Sequence, residues 1–214
     1  MGTLDPRSLR LYVVTAAGLV PGRDHLEVAS SAIEGGATAV QLRAPELTDE
    51  DLAPLAQMIA SRCREAGVLF VVNDRVRVAA SCDAGAHVGQ DADPEAARGL
   101  LGPGAVLGVS VSDPDQARAA EAAGADYLGV TVWATATKPE AVPVGIEGLR
   151  RIVRATSLPV VGIGGVDAGN AADVLAAGAV GVAVISAVAA APDPVAATRR
   201  LAAVVRNAEV GEER

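Results

Sequence analysis

Aromatic side chains are nearly missing from this chain: one tryptophan, two tyrosines and one phenylalanine among 214 residues, half of which are hydrophobic. The interior must therefore be filled by Ala, Val, Leu and Ile, which lets strands and helices approach one another closely. Cysteine is as scarce. Cys63 and Cys82 fall in a helix-like and a loop-like stretch with no CxxC spacing, which argues against a disulfide or zinc framework and for a reducing cytoplasm. Positive charge is in deficit, with a net charge of -8. A field of that sign repels nucleic acid and anionic membrane but leaves room for a local cationic pocket. Long apolar runs are absent too: none approaches the roughly 20 residues of a membrane span, and Met1 to Arg10 holds charges but no apolar core of a secretory signal. What remains has the length of one domain, able to bury most of its apolar surface without staples or metals.

A short phrase recurs. Glu34-Gly35-Gly36-Ala37, Asp83-Ala84-Gly85-Ala86, Ala122-Ala123-Gly124-Ala125 and Ala176-Ala177-Gly178-Ala179 each stand just before an apolar run. Glycine just past a helix accepts the left-handed conformation that closes it, so each phrase reads as a helix-to-strand joint. Strand candidates then lie near 11–15, 39–42, 69–73, 86–88, 106–110, 127–130, 160–163 and 181–185. Between them apolar residues keep helical spacing, as in Leu52, Leu55, Ala56, Ile59 and Cys63, or Leu149, Ile152 and Val153. Runs such as Val160-Val161-Gly162-Ile163, apolar on successive residues, suit parallel strands covered on both faces. Eight units of roughly 27 residues predict a compact α/β fold, a (β/α)8 TIM barrel, over 11–208, with 1–10 as an N-terminal extension and 209–214 as a disordered tail. A doubly wound open sheet is the rival; no GxGxxG follows the first strand, which weakens its dinucleotide-binding version.

The polar residues with chemistry to offer stand just after these strands, where such folds gather them on one rim. Gln41 and Arg43 alternate with Leu42 and so point to one side, Arg as a planar fork for phosphate oxygens and Gln as an amide that donates or accepts. A plainer reading pairs Arg43 with Glu46 or Asp49. Asn73 can hold a phosphate or an amino-heterocycle edge, and Asp74 can bind a metal or cap the next helix. Asp91 and Asp93 could join Asp74 in an oxygen-rich site for Mg²⁺, which keeps waters and uses one or two carboxylates plus substrate phosphate. Asp93 before Pro94 also reads as an N-cap. His87 reads as a packed strand histidine and His25 has no functional context. Ser110 has no visible histidine partner and reads as a hydrogen-bonding group, not a nucleophile.

The loop Trp133-Ala134-Thr135-Ala136-Thr137-Lys138 sets two hydroxyls beside the only lysine of the chain, an anion clamp. Gly164-Gly165 and Ile185-Ser186 follow the last two strand candidates, where open backbone N–H groups and the start of a short helix make a phosphate corner. The plain alternative there is two tight turns.

Taken in order, Leu11-Tyr12-Val13-Val14-Thr15, Gln41-Leu42-Arg43, Asn73-Asp74-Arg75, His87-Val88-Gly89-Gln90, Gly108-Val109-Ser110, Thr135-Ala136-Thr137-Lys138, Gly162-Ile163-Gly164-Gly165-Val166 and Val184-Ile185-Ser186-Ala187 resemble the thiamine phosphate synthase family over nearly the whole chain. The resemblance implies a (β/α)8 barrel and a transferase of thiamine biosynthesis. Its members join 4-amino-2-methyl-5-hydroxymethylpyrimidine diphosphate to hydroxyethylthiazole phosphate, with Mg²⁺ as cofactor and pyrophosphate as leaving group. It further implies that Gln41, Arg43, Asn73, Ser110 and Lys138 hold the pyrimidine diphosphate, Arg43, Lys138 and Ser110 among them in catalytic roles. Asp74 would bind metal, with Asp91 or Asp93 beside it, and Thr135, Thr137, Gly165, Ile185 and Ser186 would hold the thiazole phosphate. Two positions depart from the family pattern: Pro45 stands where a lysine is usual, with Arg23 or Arg75 as the cations at hand, and Ala92 where an aspartate is usual. They keep open a second reading, a non-catalytic relative that binds a thiamine precursor. A third, the related thiazole tautomerase, commonly has a histidine where Ser112 stands.

Overall fold

Because successive side chains of a strand point to opposite faces, each short strand of this chain divides its residues between two cores. The computed structural model describes residues 4–136 and 141–212. Its strands are β1 (Leu11–Val14), β2 (Ala39–Leu42), β3 (Leu69–Asn73), β4 (Gly85–Val88), β5 (Leu107–Val111), β6 (Tyr127–Thr131), β7 (Val160–Ile163) and β8 (Gly181–Val184). Each pairs in parallel with the next, and β8 closes on β1. Helices α1 (His25–Gly35), α2 (Asp49–Ala66), α3 (Val76–Ser81), α4 (Pro94–Leu101), α5 (Pro114–Ala122), α6 (Gly145–Val153) and α7 (Ala171–Ala176) follow the first seven strands. A short α8 (Ser186–Ala189) and a long α9 (Pro194–Glu212) follow the eighth. The (β/α)8 barrel is therefore the architecture, and the open sheet is not.

Helix starts follow from the capping side chains. Asp24 accepts from Glu27 N, Thr48 from Asp51 N, Asp93 from Ala96 N and Asp113 from Gln116 N, and proline opens both α4 and α5. Three of the four recurrent joints close as expected, with Gly36, Gly124 and Gly178 left-handed. The fourth differs. There Asp83 takes the positive φ of 56°, while Gly85 opens β4. A Cβ on Gly85 would lie 2.8 Å from Val106 O, so this glycine serves close strand approach and not the turn.

Leu11, Val13, Val40, Leu42, Val130 and Val182 face outward beneath the helices. Tyr12, Val14, Ala39, Val71, Tyr127, Val161 and Ala183 face inward and fill the barrel. Leu9, at the end of a 3-10 turn over Pro6–Leu9, is wholly buried and packs into this inner core. Part of the segment set apart as an extension thus belongs to the barrel, and a boundary at 208 falls inside α9. Small residues permit the tight outer layer: a Cβ on Gly35 would come 2.3 Å from Thr198 Cβ, where α1 meets α9. Cys63 and Cys82 are free and buried, and burial pushes the Cys63 thiol up to about 12. Among the described residues no helix is long and apolar enough to cross a membrane.

Two glycine substitutions separate packing from backbone effects. A Cβ on Gly181 would stand 2.0 Å from Leu9 O, whereas one on Gly99, inside α4, meets nothing within 4 Å. Urea denaturation should show Gly181→Ala destabilised by about 1–3 kcal/mol through overpacking, and Gly99→Ala stabilised by about 0.5–1 kcal/mol through helix propensity.

Candidate active site

Carried up the strands, the alternation that turns Tyr12 inward turns Gln41, Asn73, His87 and Ser110 inward as well. The pairings Val14 with Gln41, Asn73 with His87, and Ser110 with Gly129 set their heights. They border a cavity of about 350 Å³ at the carboxyl ends of the strands, with Tyr12 and Tyr127 beneath and Arg43 at the rim. Thr135, Gly165, Ile185 and Ser186 line the same cavity along β6 to β8. One mouth thus gathers eight of the residues to which the family resemblance gives a substrate role, drawn from six strand ends. Thr137 and Lys138, the rest of the clamp, lie outside the described residues.

The plainer pairing for Arg43 is not formed. Glu46 Oε1 lies 2.7 Å from His25 Nε2, and Asp49 is 3.5 Å from the guanidinium of Arg75. His25, without context in the sequence, is buried in a small network: its Nδ1 is 2.9 Å from Thr15 Oγ1, which accepts from Arg43 N at 3.2 Å. Thr15 Oγ1, with one proton and a second lone pair, can either donate to His25 Nδ1 or accept from it, while His25 Nε2 faces Glu46. Burial would raise the Glu46 carboxyl, but the hydrogen bond from His25, aided by the charges of His25 and Arg43, holds it below its ordinary range. The other cations near the missing lysine are committed. Arg23 donates to Ala189 O at 3.0 Å and Ala191 O at 2.6 Å, and Arg75 faces Asp49.

Asp74 is not a helix cap. Helix α3 starts at Val76 with no side-chain cap, while Asp74 Oδ1 accepts from Gly89 N at 3.2 Å and Oδ2 from Asn73 Nδ2 at 2.5 Å. Its backbone is left-handed at φ 59°, a conformation Asp tolerates better than most residues. The carboxylate is thereby turned toward the loop after β4, which carries Asp91 and Asp93, both exposed. Asp93 caps α4 with one oxygen. Among the described residues no three His, Cys, Asp or Glu side chains cluster as a metal cage. Exposed carboxylates such as those of Asp74, Asp91 and Asp93 suit a hydrated cation shared with substrate phosphate, since Mg²⁺ keeps several waters.

Ser110 does have a histidine partner: its Oγ is 2.9 Å from His87 Nε2. The contact joins adjacent strands and was invisible without their register; glycines inside β5 and β6 were the available signal. A Cβ on Gly108 would lie 2.4 Å from His87 Nδ1, and one on Gly129 2.9 Å from His87 Cε1. At the other side of the cavity Gly164 and Gly165 are both left-handed. A Cβ on Gly164 would meet Trp133 O at 2.6 Å, so glycine lets the Trp133 loop lie against this turn and brings Thr135 over the corner. Asn170 Nδ2 braces Gly165 O at 2.8 Å. Beside it, Ser186 and Ala187 precede the first bonds of α8, which run from Val188 N and Ala189 N to Ile185 O.

Comparison with known proteins places the chain in a family. A family model described as thiamine monophosphate synthase matches residues 11–188. The chain belongs to this family. It is 51% identical over 202 residues to the thiamine-phosphate synthase of Moorella thermoacetica, covering 92% of this chain and 96% of the relative. It is also 51% identical over 200 residues to that of Chloroflexus aurantiacus, covering 92% of each. The solved thiamine phosphate pyrophosphorylase of Pyrococcus furiosus superposes with a TM-score of 0.87 at 39% identity, over 95% of this chain and 98% of that one. Both the barrel and the transferase reading of the sequence accord with these relatives.

The His25–Glu46 pair carries a pH signature. A carboxyl held low in the folded state contributes stability that is complete above its unfolded value and is lost as pH falls through the folded one. Glu46→Gln should therefore be less stable than the parent at neutral pH, and the gap should close on acidification below about pH 4, as followed by thermal unfolding across pH.

Proposed function

We propose that the chain is a working thiamine-phosphate synthase that joins 4-amino-2-methyl-5-hydroxymethylpyrimidine diphosphate to hydroxyethylthiazole phosphate at this mouth and releases pyrophosphate. The observation that carries the reading is the sharing of one cavity by two anion-suited ends, Arg43 with Asn73 at one and the Gly165–Ser186 corner at the other. Two phosphorylated molecules held side by side need that arrangement.

In this reading Gln41 and Ser110 orient the pyrimidine, and Arg43, Asn73 and Lys138 hold its diphosphate. Thr135, Thr137, Gly165, Ile185 and Ser186 hold the thiazole phosphate. Asp74, with Asp91 or Asp93, would hold Mg²⁺, which when bound neutralises charge on the leaving pyrophosphate. The bond from the pyrimidine methylene to the diphosphate oxygen breaks with its electron pair on pyrophosphate, where Arg43 and Lys138 stabilise the charge. The electron-rich ring stabilises the methylene cation, and the thiazole nitrogen closes the new bond with its lone pair. No protein nucleophile is required, so Ser110 acts by position. The buried thiols suit a reducing cytoplasm.

A second reading, a precursor-binding relative without turnover, draws on Pro45, Ala92 and the commitment of Arg23 and Arg75 elsewhere. Mixing both substrates with Mg²⁺ and the protein, and weighing the product by mass spectrometry, decides between them. Thiamine phosphate formed over many turnovers supports the first; tight thiazole phosphate binding by calorimetry with no product supports the second.

Two substitutions test the assignments. Asp74→Asn keeps a residue suited to the left-handed backbone and should raise the Mg²⁺ concentration needed for half-maximal rate; an unchanged requirement would make Asp74 a structural residue only. Ser186→Ala should raise KM for thiazole phosphate roughly 10–150-fold, the worth of one hydrogen bond to a charged group of about 1.5–3 kcal/mol, with KM for the pyrimidine substrate unmoved.

A further inference from the structure

Beneath the cavity the two tyrosines of the chain join three residues of its wall in one unbroken series of hydrogen bonds. Gln41 Nε2 donates to Tyr12 Oη at 2.8 Å, Tyr12 Oη and Tyr127 Oη are 2.9 Å apart, Tyr127 Oη is 3.0 Å from His87 Nδ1, and His87 Nε2 is 2.9 Å from Ser110 Oγ. Tyr12 and Tyr127 are almost wholly buried, and burial pushes both phenols up, so each hydroxyl carries one proton and needs one acceptor.

With the Gln41 amide nitrogen as donor, counting protons sets the direction of every other link. Tyr12 accepts from Gln41, so its own proton goes to Tyr127, the other group in reach. Tyr127 then accepts from Tyr12 and must donate to His87 Nδ1. With Nδ1 accepting, the imidazole carries its proton on Nε2 and donates to Ser110. The hydroxyl proton of Ser110 is left to point into the cavity. At the other end Gln41 Oε1 has no partner among the described residues, where no buried side-chain polar atom lacks one; this oxygen therefore opens onto the cavity as an acceptor. Reversing any one link strands a buried proton, at a cost comparable to a lost hydrogen bond, unless all the links reverse together.

We propose that Gln41, Tyr12, Tyr127, His87 and Ser110 form a single polarity-setting series that presents one acceptor and one donor to a heteroaromatic ring, selecting an amino-substituted pyrimidine over its oxo counterpart. An amino group with a ring nitrogen offers donor and acceptor in the sense the series requires; an oxo group with a ring N–H inverts both. Tyr12, Tyr127 and His87 act as positioning residues that hold Gln41 and Ser110 in complementary states. The strands are shaped for this: a Cβ on Gly108 would come within 2.2 Å of Tyr127 Cζ, and Gly108 and Gly129 both clear space for His87. The inference rests on the proposed substrate for its ring, but not for its hydrogen-bond direction.

Two measurements test it. Nitrogen NMR of ring-labelled histidine in the ligand-free protein at about pH 8, above the usual histidine range, should show His87 protonated at Nε2, with the two histidines told apart in His25→Gln. Rates with the 4-amino and 4-oxo pyrimidine diphosphates, as kcat/KM, should favour the amino compound in the parent protein. In Tyr127→Phe that preference should shrink about 5–30-fold and His87 should become a mixture of tautomers. Protonation at Nδ1 in the parent overturns the direction; an unchanged preference in Tyr127→Phe overturns the selective role, whatever the tautomer. If Tyr127→Phe fails to fold, Tyr12→Phe cuts the series one link away and is read in the same manner. A parent protein with no turnover of the amino compound would defeat the proposed function alone. The tautomer would still decide the hydrogen-bond direction, and calorimetry with the same two diphosphates would decide the selectivity.

Discussion

Closure of eight parallel strands imposes the constraint on which everything else rests: every second side chain of every strand must share one narrow interior. Low in the barrel that space is filled by Leu9, Val71, Val161, Ala183 and the tyrosine pair, and higher up it widens into the cavity. A residue's place on this axis decides whether it packs or binds. Tyr12 and Gln41 illustrate this: Tyr12 pairs in register with Ala39, and Gln41 sits one inward step higher, so one side chain forms the floor and the other the wall.

The rims are tied by arginines and aspartates used as braces. Arg98 donates to Gly102 O, Ala105 O and Gly124 O and meets Asp126, whose Oδ2 also accepts from Leu107 N. One guanidinium thereby secures the joints that feed β5 and β6. At the opposite rim Arg23 does the same for the chain after α8. Five donors in a fixed fork suit this work better than an ammonium does, which accounts physically for a chain in which nearly all cations are arginine.

Much of this was legible in the sequence, because period-two alternation and glycine-marked joints are local signals. The strands near 39–42, 69–73 and 160–163 coincide with β2, β3 and β7. The inward pointing of Gln41 and Arg43 needed only their spacing. What could not be read depends on register between strands or on contacts between a loop and a helix. His87 and Ser110 are 23 residues apart and meet because β4 and β5 pair side by side. His25 meets Glu46 because α1 begins beneath the loop after β2. Asp74 looked like a cap because position alone cannot tell whether its carboxylate turns to its own helix or to Gly89. Gly85 looked like a joint for the same reason: a glycine needed for space and a glycine needed for its φ are the same letter.

The division of chemistry by depth also explains the scarcity of aromatic residues. A barrel walled by Ala, Val and Gly has room for a few rings only where neighbouring strands give up their side chains, as Gly108 and Gly129 do for Tyr127 and His87. The polar groups placed at that depth are hydroxyls, an amide and an imidazole, because an unpaired charge there would face a large desolvation penalty. Arg43 and Asp74 stand at the rim, where water and counter-charges are available. A ligand that is a neutral heteroaromatic ring at one end and a phosphate at the other meets each of these zones in turn: the floor fixes its hydrogen-bonding edge and the rim its charge. A barrel with charge at the floor and amides at the rim would bind the same molecule in neither orientation.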